Sequence, residues 1–113
     1  MNATPLSDKT CAPCNGTVLP LDAATIQMYL SQLHNSWQLS ADKAVISRRY
    51  TFKGYAKAVY LSHLCVWLAD EQGHHPDIAF GWGYCQVDLT THDINGLSEN
   101  DFIWAAKLDK LTA

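Results

Sequence analysis

No glycine or proline interrupts residues 55–72, and Gly54 and Gly73 bracket the stretch. It is the longest segment able to form one unbroken helix, and Gly73 is placed to stop it in a left-handed cap. Its apolar residues do not fall in a single stripe. Tyr55, Ala58, Val59, Val66 and Ala69 mark one face, and Tyr60, Leu61, Leu64, Trp67 and Leu68 mark another. A helix that is apolar on two sides has to be covered on two sides. A chain of 113 residues makes one domain with one core. The expectation is therefore that one face of this helix covers a sheet and the other meets a second chain.

The segments around it supply the rest of the layer. Asp22 is a good N-cap, and Ile26, Leu30 and Leu33 recur with helical spacing behind it. Trp37 and Leu39 alternate with polar neighbours on a first short strand. Ile46, Arg48, Tyr50 and Phe52 share one face of a second, where Arg48 breaks the apolar alternation and suggests a sheet edge. Ile78, Phe80 and Trp82 alternate after Pro76, with turn freedom at Gly81-Trp82-Gly83. Cys85, Val87, Leu89 and Thr91 then alternate on a fourth strand, with Gln86, Asp88, Thr90 and His92 on its other face. Asn95-Gly96 is a turn signal, and Ser98-Glu99-Asn100-Asp101 resembles a capping box ahead of a helix carrying Trp104, Leu108 and Leu111. The fold class expected is α+β, with a four-stranded antiparallel sheet and three helices packed on one face, in the order α-β-β-α-β-β-α. Residues 1–20 lack a sustained period and read as an irregular or mobile arm; residues 21–113 form the domain.

Composition narrows the function. Eight basic against 11 acidic residues give a net charge of −3, with no basic cluster to neutralise phosphates, which argues against nucleic-acid binding. Charged residues make up 17%, below the usual quarter, consistent with surface covered by partner chains. The longest apolar run, Leu64–Ala69, is too short to span a membrane. The first residues do not follow the pattern of a secretory signal, so the cytoplasm is the default compartment and the sequons at Asn2 and Asn15 read as chance.

The four cysteines do not suggest a disulfide framework. Cys65 falls in a helix and Cys85 in a strand, both as small core residues. Cys11-Ala12-Pro13-Cys14 is a CxxC, but zinc needs four ligands and no second CxxC or HxxxH is present. A redox CxxC normally opens a helix after a strand, whereas here prolines flank it, so an ordinary loop is the simplest reading.

Three of five histidines are brought together by the inferred fold. His74-His75-Pro76 enters the third strand where His92 leaves the fourth, so the outer end of one hairpin would carry all three. Histidine is the side chain best suited to give and take protons near neutral pH. Each taken alone has a plain alternative. His-His-Pro can be a polar helix exit, His92 a solvated strand residue, and Asp101 the third position of a capping box. Three histidines with Asp93 or Asp88 could also hold a catalytic zinc, although adjacent histidines rarely bind one ion from regular backbone. His34 and His63 show no convergence.

With Asp70, His74, His75, Pro76, Trp82, His92 and Asp101 at these spacings, the sequence resembles the pterin-4a-carbinolamine dehydratase (4a-hydroxytetrahydrobiopterin dehydratase) family. Thr91-His92-Asp93 followed by Gly96-Leu97-Ser98-Glu99-Asn100-Asp101 resembles its second signature. Asp70 stands where Glu is commoner, and Asn95 where Gly is commoner. The resemblance covers about residues 20–110. It implies a dehydratase that removes the C4a hydroxyl of a reduced pterin as water, yields quinonoid dihydropterin, and needs no cofactor or metal. It implies His74, His75 and His92 as catalytic residues, and Asp70, Pro76, Trp82 and Asp101 as pterin-binding or orienting residues. It further implies a homotetramer built as a dimer of dimers, and a link to an aromatic amino acid hydroxylase whose pterin is recycled. The alternative is an interaction protein of the transcriptional-coactivator kind, binding a partner through the long helix.

Overall fold

The computed structural model describes residues 4–12 and 18–113. Cys14, and with it the CxxC as a unit, lies outside the described residues, as do both sequon asparagines. Among the described residues, α1 (Ala23–Leu30), β1 (Gln38–Leu39), β2 (Ile46–Thr51), α2 (Ala56–Gln72), β3 (Asp77–Gly81), β4 (Tyr84–Leu89) and α3 (Glu99–Leu111) follow in that order. This is the expected α-β-β-α-β-β-α sequence. The strands form one antiparallel sheet in the order β1-β2-β4-β3. Ile46, Val87, Leu89 and Cys85 turn to the helix side, where with Leu61, Cys65, Leu68, Phe102, Trp104 and Leu108 they build the core.

Local signals account for the element ends. The Asp22 carboxylate accepts the Thr25 N–H at 2.8 Å and opens α1. Gly73, at φ 64°, closes α2 in the left-handed region, and its N–H reaches the Ala69 carbonyl. Asn95, also left-handed at φ 52°, ends a 3-10 turn over His92–Ile94.

The faces of α2 differ from the expected division. Ala58, Leu61, Ser62, Cys65, Leu68 and Ala69 are buried, and on a helical period they form one stripe. Tyr60, Val66 and Trp67 are exposed. Leu61 and Leu68 thus belong to the core, and Val66 to the outside. Residues only one position apart, such as Leu68 and Trp67, point about 100° apart, so apolar character alone did not sort them. On the inner face, Cys65 meets Cys85 across the helix–sheet interface. The neighbouring Cys85 and burial raise the Cys65 thiol, so it stays protonated.

Arg48 sits on the second strand of the sheet rather than on an outer one, but β1 reaches only to Ser47, so the flank of β2 is open beside it. Its guanidinium donates to Asp109 Oδ1 at 2.6 Å and lies over the Tyr50 ring. Asp109 also accepts the Trp37 indole N–H and the His34 backbone N–H, each at 2.8 Å. The N-terminal segment, expected to be irregular or mobile, is packed over residues 4–12. Leu6 is buried in the core, and a 3-10 turn at Leu6–Asp8 lies against α3.

Candidate active site

The site is assembled where α2 ends, β4 ends and α3 begins. Gly73 breaks α2 and lets His74 and His75 leave the helix axis, and Pro76 then starts the extended path into β3. On the other side, β4 stops at Leu89. Thr91 makes an isolated bridge to Gly96, and His92 opens the 3-10 turn instead of ending the strand as expected. That turn swings the chain back toward the end of α2.

The result is a cleft of about 240 Å³ lined by Gly73, His74, His75, Thr90, Thr91, His92 and Asp93. His74, His75 and His92 therefore share one cavity. Their surroundings differ. His75 and His92 are exposed, whereas His74 is only 9% exposed. His74 Nε2 lies 2.6 Å from Asp101 Oδ1. The other Asp101 oxygen accepts the Thr91 hydroxyl at 2.8 Å and the Ser98 backbone N–H at 3.0 Å. With the Thr91 proton directed at Asp101, the Ser98 hydroxyl donates to Thr91 Oγ1, 2.7 Å away. Asp101 is fully buried, its Oδ2 takes the two donors from Thr91 and Ser98, and Oδ1 meets only His74; read as a carboxylate, which has acceptors alone, it accepts from the His74 ring. The proton of that bond sits on Nε2, and Nδ1 is the remaining ring nitrogen.

The other expected site residues are placed as follows. Asp101 does not line the cleft, and it meets the cleft through two residues that do, His74 and Thr91. It also accepts the Ser98 N–H as the carboxylate half of a capping box, so both roles read from the sequence are filled by one side chain. Asp70 and Pro76 line a second groove of about 330 Å³ with Val66, Ala69 and Ile78, and His75 borders both. Trp82 lies in the β3–β4 turn and is 72% exposed. Pro76 and the five residues of β3 separate it from His75, a span of about 23 Å at strand rise, and it is not among the residues lining the cleft. Sequence reasoning placed Thr91 among the core-facing strand residues and missed that its hydroxyl supports Asp101. The signal was a hydroxyl in an otherwise apolar alternation.

Among the described residues, no group of three or more His, Cys, Asp or Glu side chains is placed to hold a metal ion. No described helix is long and apolar enough to cross a membrane. Burial pushes the Cys11 thiol up to about 11, so it is protonated near neutral pH, unlike the activated thiolate of a redox CxxC.

The family model described as Pterin 4 alpha carbinolamine dehydratase matches residues 19–111. A Nitrosomonas europaea protein named "Putative pterin-4-alpha-carbinolamine dehydratase" is 43% identical over 110 residues, covering 97% of this chain and 96% of that one. A Methylococcus capsulatus protein of the same name is 42% identical over 113 residues, covering 100% and 98%. Among solved structures, a transcriptional coactivator/pterin dehydratase from Brucella melitensis superposes with a TM-score of 0.76 at 26% identity, over 83% of this chain and 99% of that one. A pterin dehydratase-like protein described as a RuBisCO assembly factor in the alpha-carboxysome gives 0.59 at 27% identity, over 71% and 93%.

Proposed function

The chain belongs to the pterin 4 alpha carbinolamine dehydratase family, and from that premise we propose that it is a hydro-lyase converting 4a-hydroxytetrahydropterin to quinonoid dihydropterin and water. The observation that carries this reading is the cleft shared by His74, His75 and His92, with His74 tied to Asp101. The chemistry asks for two proton transfers. The C4a hydroxyl must gain a proton to leave as water, and the N5 proton must depart as the C4a–N5 double bond forms. No electrons are exchanged, so no redox cofactor is needed. His75 and His92 are exposed on the cleft and free to divide these two transfers, whereas His74 has one nitrogen committed to Asp101 and orients what binds. Asp70 and Pro76, on the groove beyond His75, receive the part of the pterin that extends past the ring.

The test is the loss of carbinolamine absorbance in the presence of the purified protein, with the uncatalysed dehydration subtracted. His75→Ala and His92→Ala should each lower the rate by about 10²–10⁴-fold with the fold intact. Wild-type rates in both variants would overturn the assignment. Such an enzyme works in the cytoplasm, where it returns the oxidised pterin of an aromatic amino acid hydroxylase to its recycling reductase.

The same reading includes a homotetramer, a dimer of dimers. Tyr60 is 68% exposed and Trp67 54% on the outer face of α2, an apolar patch of the kind a two-fold contact covers. Trp67→Glu should lower the mass measured by light scattering. An unchanged mass would exclude α2 as the contact. The rival reading, an interaction protein that uses α2 to bind a different partner, would be favoured by a monomeric wild-type chain without dehydratase activity.

A further inference from the structure

Two consecutive residues of the N-terminal segment hold the two elements that carry the His74–Asp101 pair. The backbone N–H of Cys11 donates to Gln72 Oε1 at 3.0 Å. Gln72 is the last residue of α2, and only Gly73 separates it from His74. The next residue, Ala12, is bound twice by the Asn100 side-chain amide. Ala12 N–H donates to Asn100 Oδ1 at 2.9 Å, and Asn100 Nδ2 donates to the Ala12 carbonyl at 2.7 Å. Asn100 lies in the first turn of α3, next to Asp101, and is 9% exposed. The Cys11 thiol also reaches the Asn100 carbonyl at 3.5 Å.

We infer that Gln72 and Asn100 are positioning residues for the reaction. Through Cys11 and Ala12 they tie the end of α2 to the start of α3 and so fix the reach of His74 to Asp101. The inference rests on the dehydratase reading of the cleft. Three features carry it. The ties are made by side-chain amides, and that of Asn100 matches the Ala12 N–H and C=O together; an apolar residue at position 100 would release both Ala12 groups to solvent. They fall within two residues of the pair on both sides. And the pair itself spans α2 and α3, so any slippage between those ends appears directly in its 2.6 Å contact. A misplacement of about 1 Å in a catalytic constellation is enough to cost about 10²-fold in rate.

The test uses the full chain. Asn100→Ala should lower kcat by about tenfold with KM within about twofold of wild type. In the wild type the His74 imidazole N–H proton should give a solvent-protected NMR resonance, and in the same variant it should broaden. Gln72→Ala should move both readouts the same way by less. Lys9→Ala, which cuts the 2.9 Å tie of this segment to Glu99 but leaves both amides engaged, should move neither. An Asn100→Ala protein that melts earlier yet keeps its kcat and a sharp N–H resonance would show a purely structural strap and overturn the inference. If Asn100→Ala fails to fold, Gln72→Ala at the helix end decides by the same readouts. If the wild type shows no dehydratase activity, the functional reading falls, and the N–H resonance alone decides whether the clamp positions His74.

Discussion

Two aspartates on α3 do the same local job with different consequences. Asp101 and Asp109 lie eight residues apart, about 12 Å along the helix, and each gathers three donors from separate parts of the chain. Asp101 takes His74, the Thr91 hydroxyl and the Ser98 N–H. Asp109 takes Arg48, the Trp37 indole and the His34 N–H. The Asp109 hub is closed. Its cationic partner is a guanidinium that stays charged at any workable pH, with a side chain 11% exposed. The Asp101 hub opens on the cleft through the His74 ring and the Thr91 hydroxyl. A carboxylate that gathers donors is thus a structural device at one end of α3, whereas at the other end it also caps the helix and, in the proposed reading, reaches the chemistry through the cleft residues it holds.

One substitution made at both positions tests that contrast. Asp101→Asn keeps the size but offers an amide whose NH₂ can face His74 Nε2, which would move the ring proton to Nδ1. The dehydration rate should fall by about 10²-fold or more, toward the about 10⁴-fold loss of an orienting aspartate that gives up its histidine tautomer. Asp109→Asn should leave the rate of the folded protein within about twofold, because nothing it touches reaches the cleft. It should instead lower stability by about 2 kcal/mol or more, since the largely buried guanidinium of Arg48 loses its counter-charge. Rate assays and denaturant melts on the two variants read out both effects. A rate loss at Asp109 comparable to that at Asp101 would dissolve the distinction.

A smaller change sharpens it. Thr91→Val preserves shape but removes the hydroxyl that donates to Asp101 and accepts from Ser98. Stability should drop by about 1–2 kcal/mol for the unpaired buried groups. The rate should fall by about tenfold or more, as when a supporting residue behind a catalytic histidine is lost. A stability loss without a rate change would show that Asp101 holds His74 without help from Thr91.

Much of this arrangement is legible in the sequence because it depends on residues with narrow conformational uses. Gly73 had to be a left-handed stop, Asn95 tolerates the same region, and Ser98 with Asp101 spells a helix start. Those three positions fix where the histidines emerge. The division of the α2 faces was less legible, since Leu61 and Tyr60 are both apolar and the pattern does not say which neighbour covers which. Trp82 shows a different limit. Its alternation with Phe80 continues the strand pattern, but Gly81 and Gly83 end the strand before it. The N-terminal segment left no periodic trace at all. Its ties to Gln72 and Asn100 run from backbone groups, which almost any sequence supplies, and Leu6 is a lone buried apolar residue with no period around it.

That segment also sets the smallest effect expected, which separates its outer tie from its inner clamp. Glu99 Oε2 accepts from Lys9 Nζ at 2.9 Å and from the Tyr29 hydroxyl at 2.8 Å. The Lys9 hydrogen bond, helped by that of Tyr29, holds the Glu99 carboxyl below the ordinary glutamate value against the opposing pull of burial. A carboxylate with a depressed folded value contributes stability above its unfolded value of about 4.3, and loses it as the pH falls through the folded value. The Glu99 side chain is 41% exposed, so screening limits the contribution to a few tenths of a kcal/mol. Glu99→Gln should therefore be slightly less stable than wild type at pH 7, and the gap should close as the pH falls from about 5 toward 3. Melts at fixed protein concentration measure this, because any association adds its own stability. The kcat at pH 7 should not change, since this tie lies outside the Gln72–Cys11 and Asn100–Ala12 contacts. Parallel stability curves for the two proteins would remove Glu99 as the titrating group, and a fall in kcat would mean that the outer tie also governs the geometry of His74.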